Sequence, residues 1–190
     1  MAKSIQNVVM QGASGKIGKT LVFRQLSNGE TVIANRAKPR GKKPLTPAQE
    51  AFRYRFQNAA YMAKIFSQDP ILRPKYLAKA KPGQSAYSMA LKDCLTAPQI
   101  KKINLNAYNG TVGSLISIRA VDDFKVASVR VRILKANDIL VEKGFATLDD
   151  NGLDWTYVAT VANTPLTGPK VEVTVSDVPG NETVEVATVA

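Results

Sequence analysis

The feature of this sequence that most constrains its fold is a change of hydrophobic period near residue 100. From Ile100 onward, apolar and polar residues alternate in the two-residue repeat of strands with one buried face. The preceding fifty residues repeat every three to four positions, as helices do. The alternation predicts strands at about 101–107, 113–121, 125–135, 138–146, 153–161, 169–177 and 182–188. Turn clusters lie between several of them: Asn109-Gly110, Asp149-Asp150-Asn151-Gly152 and Pro179-Gly180-Asn181. The third strand alternates most cleanly, with Val129, Val131 and Ile133 on one face and Ser128, Arg130 and Arg132 on the other. Trp155 and Tyr157, two apart, share a face, and Trp155 is the expected core anchor. Short strands at this spacing over fewer than about 100 residues predict a β-sandwich.

The N-terminal half reads differently. Lys19–Gln25 and Thr31–Asn35 are rich in β-branched residues and flank Ser27-Asn28-Gly29-Glu30. Asn-Gly between two such runs is a hairpin signal, because both residues tolerate positive φ, and Ser4–Met10 offers a third strand. Residues 36–47, RAKPRGKKPLTP, form a basic proline-rich arm that continues neither a ladder nor a helix. A helix opens after it: Thr46 caps, Pro47 takes the first helical position and Gln49 completes a capping box. Phe52, Phe56, Ala59, Ala63 and Phe66 recur at helical spacing as its expected buried stripe. Asp69-Pro70 opens a second short helix to about Lys79, and Pro82-Gly83 breaks it. Ser85 caps a third helix, Ala86–Leu95, with Tyr87, Met89, Ala90 and Leu91 inward; Thr96-Ala97-Pro98 marks the boundary. The expected division is 1–98, a basic hairpin and helical module, and 99–190, the sandwich.

Charge divides at the same place. Residues 1–104 hold 19 Lys and Arg against 4 Asp and Glu, a balance of +15, whereas residues 105–190 hold 7 against 11, a balance of −4. Such asymmetry points to a polyanionic partner for the first half, an acidic protein assembly or nucleic acid. The candidate contact residues are Arg36, Lys38, Arg40, Lys42 and Lys43 of the arm with Arg53 and Arg55 of the helix; Tyr54 and Tyr61 are interleaved as stacking surfaces. A solvated helix face and a soluble linker would show the same charges, and no zinc-finger or RNA-recognition pattern accompanies them.

Other chemistry is thinly represented. The sequence has no histidine, the commonest metal ligand and general base, so catalysis is disfavoured and no cofactor or metal is expected. Cys94, the single cysteine, excludes an internal disulfide and favours a reducing compartment; without a histidine to activate it, it reads as a core thiol. No stretch is apolar enough to span a bilayer and no secretory leader is evident, so the expected location is the cytoplasm, or a virion assembled there. Asp122, Asp123, Asp177 and Asn181 fall in turns that a sandwich gathers at one end; they suit either calcium or simple turn capping.

One motif points elsewhere. Val8–Lys19, VVMQGASGKIGK, is similar to the glycine-rich turn of short-chain dehydrogenases, with Arg36 after Val32–Asn35 where a 2′-phosphate would be received. That reading, a nicotinamide-dependent reductase, needs a helix from about residue 16 to 27. Thr20, Val22 and Phe23 suit a strand better, and no further strand–helix alternation follows. Gly18-Lys19-Thr20 ends like a phosphate-binding loop, but its first glycine position holds Ala13.

Two family resemblances carry the rest. Ser14-Gly15-Lys16-Ile17-Gly18, then Arg36-Ala37-Lys38-Pro39, then Thr46, Gln49, Arg53 and Phe56, resemble a group of uncharacterised proteins common in Bacteroidota genomes and their phages. In these a glycine-rich hairpin precedes a Thr-x-x-Gln-x-x-x-Arg-x-x-Phe helix. Asp122–Val129 and Asp177–Asn181 are similar to passages of bacterial and phage immunoglobulin-like domains, a resemblance that implies adhesion, spacing or decoration of larger assemblies. The combined expectation is an α+β chain, a small β-hairpin and helical module joined to an all-β immunoglobulin-like sandwich. Its expected role is non-enzymatic: a phage virion component anchored by its basic half and acting within a homo- or hetero-oligomer. The alternative is a cytoplasmic, non-specific nucleic-acid-binding protein.

Overall fold

The computed structural model describes residues 2–4, 10, 12–26, 29–38, 44–164 and 168–189. The chain separates into two compact units, Met1–Ala90 and Leu91–Ala190.

The first unit opens with a four-stranded antiparallel sheet ordered β1-β4-β3-β2, from β1 (Ala2–Ser4), β2 (Gly15–Ile17), β3 (Leu21–Gln25) and β4 (Thr31–Asn35). The expected hairpin is β3–β4, with Gln25 opposite Thr31 and Leu21 opposite Asn35; Ser27 and Asn28 of its turn lie outside the described residues. Among the described residues, the glycine-rich run opens no helix. It supplies β2, which pairs antiparallel with β3 through a turn at Gly18, whose φ of 60° is a backbone conformation that side chains disfavour. This geometry is incompatible with the dehydrogenase-type turn, which needs a helix over the residues that form β2 and β3. The extra strand lies at Ala2–Ser4, paired with β4; residues 5–9 of the expected Ser4–Met10 strand lie outside the described residues. Among the described side chains of this sheet, Phe23 and Val32 are the buried apolar ones.

Helix α1 (Pro47–Gln68) starts as its sequence dictates. The Gln49 N–H donates to Thr46 Oγ1 and the Thr46 N–H to Gln49 Oε1, both at 3.3 Å. Asp69 ends it, and its Oδ1 accepts from the N–H groups of Ile71 and Leu72 at 2.8 Å to start α2 (Leu72–Lys79). The Phe66 ring stacks on Tyr76, which is fully buried. The expected α1 stripe is only partly covered. Ala59 and Ala63 are buried, but Phe52 and Phe56 are exposed: helical periodicity says which face is apolar, not how far along the helix a neighbour covers it.

Helix α3 (Ala86–Leu95), capped by Ser85 Oγ on the Ser88 N–H, contains the division between the two units. Its buried face is Ala86, Met89, Ala90, Asp93 and Cys94, one continuous helical stripe. Tyr87 lies outside that stripe and is exposed, contrary to expectation.

The second unit is a two-sheet sandwich. One sheet runs β5-β6-β10-β9, from β5 (Gln99–Asn104), β6 (Leu115–Val121), β9 (Thr147–Leu148) and β10 (Asp154–Val158). The other runs β12-β11-β7-β8, from β7 (Val126–Leu134), β8 (Leu140–Phe145), β11 (Lys170–Asp177) and β12 (Glu182–Thr188). This strand order, antiparallel throughout, is the immunoglobulin-like arrangement. Ile116 and Ile118 of β6, Val129, Val131 and Ile133 of β7, Val171, Val173 and Val175 of β11, and Trp155 and Tyr157 of β10 form one buried cluster. Each such aliphatic side chain contributes about 1.5–3 kcal/mol by leaving water. The alternate positions face outward and pair across strands, Arg132 with Glu172 at 2.6 Å and Arg119 with Asp154 at 2.7 Å. Every expected strand has a counterpart; the two-residue β9 is additional.

Tyr157 depends on the absence of a side chain at Gly144. A Cβ there would stand 2.8 Å from Tyr157 Cε2, closer than packed carbon atoms approach. Gly144→Ala is therefore expected to destabilise the fold by about 1–3 kcal/mol in urea titration, and the loss should largely vanish in a Tyr157→Ala background.

Candidate functional site

Two features could carry function: the cationic surface of the first unit and a group of carboxylates in the second.

The β3–β4 register governs the first. With Leu21 opposite Asn35, the residues just beyond both strands meet, and the Arg36 N–H donates to the Thr20 carbonyl at 2.6 Å. The ladder thus runs one step past the sheet and brings the β2–β3 turn against the start of the basic arm. Lys19, Thr20, Asn35, Arg36, Ala37 and Lys38 line a concavity of about 470 Å³ there. All six are exposed, and no acidic residue is among them.

Of the sequence-predicted contact residues, Arg36 and Lys38 lie in this concavity, while Arg40, Lys42 and Lys43 lie outside the described residues. Arg53 and Arg55 are exposed on α1 but not side by side, because residues two apart point to different sides of a helix. Arg53 lines a second hollow, about 450 Å³, with Leu45, Ala48, Gln49 and Phe52. The expected stacking residues Tyr54 and Tyr61 are 59% and 68% exposed. Lys19, Thr20 and Asn35 are additions that composition could not provide. Their signal is the hairpin register: pairing Gln25 with Thr31 and Leu21 with Asn35 sets Thr20 opposite Arg36.

The second feature gathers Asp93 of α3, Asp122 of the β6–β7 turn and Asp177 at the end of β11, with one carboxylate oxygen of each within 4.8 Å of the others. Asp177 follows Val171, Val173 and Val175 in the inward row of β11, so strand alternation places it inside, where the pairing with β7 shifts register. Asp122 Oδ2 accepts from the N–H groups of Phe124 and Lys125 at 2.8 and 2.9 Å. Asn181 fastens the group: its N–H donates to Asp177 Oδ1 at 2.6 Å, and its Nδ2 to Asp177 Oδ2 at 2.7 Å and the Asp93 carbonyl at 3.2 Å. The expected meeting of Asp122, Asp177 and Asn181 is thus found. Asp123 is instead drawn off to an ion pair with Lys92 at 2.8 Å, and Asp93 takes its place.

Three carboxylates are donors of the type a hard cation takes, but calcium requires six to eight oxygens. Asn181 turns its nitrogen, not its oxygen, toward the group and so serves as a hydrogen-bond donor. Burial, and then the neighbouring Asp122 charge, hold the Asp177 carboxyl above its usual range. Burial pushes the Cys94 thiol up to about 11, with the charges of Asp93 and Asp177 adding to it. That environment is opposite to what activates a nucleophilic cysteine.

No family model matches the chain, and no curated protein does. Among solved structures the chain is similar to CopC from Methylosinus trichosporium OB3b, at 17% identity and a TM-score of 0.36, over 48% of this chain and 89% of that one. It is also similar to an engineered protein solved by the Northeast Structural Genomics Consortium, at 15% identity and a TM-score of 0.34. That match covers 59% of this chain and 30% of the engineered one. Both are too remote to carry an argument about this protein. Among the described residues, no helix is long and apolar enough to cross a membrane.

Two outcomes follow from the carboxylate group. Because the native state holds the Asp177 proton more tightly than the unfolded chain, this group's contribution to stability falls as pH rises from 3.8 through the raised native value. Asp122→Asn removes one like charge, so it should raise the thermal midpoint at pH 7 by more than at pH 4, as scanning calorimetry would read. Native Cys94 should resist a thiol reagent such as dithionitrobenzoate at pH 8 and react fully once the protein is unfolded.

Proposed function

We propose that this chain is a non-enzymatic structural and interaction protein that anchors through its basic N-terminal unit to a polyanionic partner and presents an immunoglobulin-like domain. The observation that carries the reading is the separation of charge between the two halves. The cations of the first half stand on exposed positions: Lys19, Arg36 and Lys38 around one concavity, and Arg53, Arg55 and Lys64 along α1. Like charges held at a surface raise the local potential and draw in a partner of opposite sign. The sandwich carries a slight excess of acid and a closed apolar core, features of a domain that is displayed.

Exposed aromatic side chains beside these cations support a partner that is more than a counter-ion. Phe52 and Phe56 stack along one side of α1, and Tyr54 and Tyr61 stand on another. Aromatic rings interleaved with arginine suit both nucleobases and the apolar patches of a protein lattice. The resemblance of the first half to phage-type proteins favours a virion setting, with the capsid or tail lattice or the packaged nucleic acid as the anchor.

Binding of the intact protein to a soluble polyanion such as heparin, followed by fluorescence anisotropy, is expected to weaken by on the order of tenfold or more between 50 and 200 mM salt. Replacing Arg36, Lys38, Arg53 and Arg55 together by glutamine should weaken it further at every salt concentration. Binding that ignores both salt and these substitutions would remove the anchoring role.

A further inference from the structure

We infer that the concavity at the open end of the β3–β4 hairpin is a phosphate seat, and that the polyanion it receives is the phosphodiester backbone of a nucleic acid. The inference rests on the reading of the basic unit as a polyanion anchor, and it names both the seat and the partner's chemistry.

The geometry comes from two separate stretches of sequence, 19–20 and 35–38, brought to one place. Lys19 and Thr20 belong to the β2–β3 turn, Asn35 is the last residue of β4, and Arg36 and Lys38 begin the arm. The 2.6 Å hydrogen bond from the Arg36 N–H to the Thr20 carbonyl ties the two stretches together. The described part of the seat is therefore tied to the sheet. Among the described residues, no carboxylate forms an ion pair with Lys19, Arg36 or Lys38, so their charge is not spent internally.

The donor set distinguishes phosphate from carboxylate. A carboxylate is planar and is satisfied by one guanidinium fork. A phosphodiester is tetrahedral and takes donors from several directions, in practice from arginine and lysine together with threonine hydroxyls and asparagine amides. The concavity offers that mixture: two lysines, one arginine, one threonine and one asparagine. Its volume of about 470 Å³ exceeds what a phosphate needs and falls in the range that holds a small organic unit. On the same register row as Asn35, Leu21 and Ile17 leave apolar surface exposed at the mouth of the sheet, where a sugar or base can rest.

The test compares wild type with Lys19→Gln/Arg36→Gln and with a charge-matched control, Lys125→Gln/Lys143→Gln, on the sandwich. Binding to a fluorescein-labelled 20-nucleotide single strand and to polyglutamate is read by anisotropy over a range of salt. All four substituted residues are exposed, so both variants are expected to keep the fold, which circular dichroism of each checks. The expected result is a loss of tenfold or more on the nucleic acid for the pocket variant, with a salt slope shallower by about 1.4, while the control binds as wild type does. Thr20→Val should cost a few-fold, since it removes a hydroxyl and keeps the shape.

A pocket variant that binds the strand as tightly as the control overturns the seat and leaves the polyanion anchor standing. Wild type that binds polyglutamate but not the strand overturns the phosphate assignment alone. Wild type that binds neither polymer overturns this inference and the proposed anchoring together.

Discussion

The C-terminal unit rests on the inward rows of three neighbouring stretches of β structure. Ile116 and Ile118, then Val129, Val131 and Ile133, then Val171, Val173 and Val175, are all fully buried and all β-branched. Residues of this type hold few rotamers and pack well on a pleated face. Because strand alternation is strict, the same register that buries them fixes everything on the opposite face and everything that follows in the row. Arg132 and Glu172 meet on the outside for that reason, and Asp177 arrives inside two residues after Val175. A slip of one residue would reverse all of it.

Register is equally decisive in the first unit, with a smaller core behind it. Phe23 and Val32 are the buried apolar anchors of the four-stranded sheet, and its outer strands β1 and β2 are only three residues long. What this sheet provides is placement. The pairing of β3 with β4 turns two distant basic segments into one cationic hollow, which neither has alone. The glycine-rich run that looks like a cofactor-binding turn serves the same end: it supplies the third strand and the turn that carries Lys19.

Much of this was legible in the chain itself, and the gaps have physical causes. Cap chemistry is local, so Thr46–Gln49 and Ser85 marked two helix starts. Alternation is local too, so the sandwich strands could be placed to within a few residues. The strands β1 and β2 could not, because three residues are too few to establish a period. The exposure of Phe52 and Phe56 is not legible in the helical period, since amphipathicity gives direction but not the extent of cover. The carboxylate group was half visible: Asp122 and Asp177 lie in turns at one end of a sandwich. Asp93 was not, because its link to Asn181 joins a helix to a hairpin 88 residues away. The cationic hollow was written in the hairpin's register, which only pairing the strands reveals.

The exposed aromatic rings of α1 have a consequence for how the protein behaves in a crowded solution. Phe52 and Phe56 on one side and Tyr54 and Tyr61 on another leave large aromatic surface in water, and the like net charge of two copies makes them repel. Under the anchoring proposed above, a bound polyanion would cancel that repulsion, so neighbouring copies on one partner would meet a lower colloidal barrier.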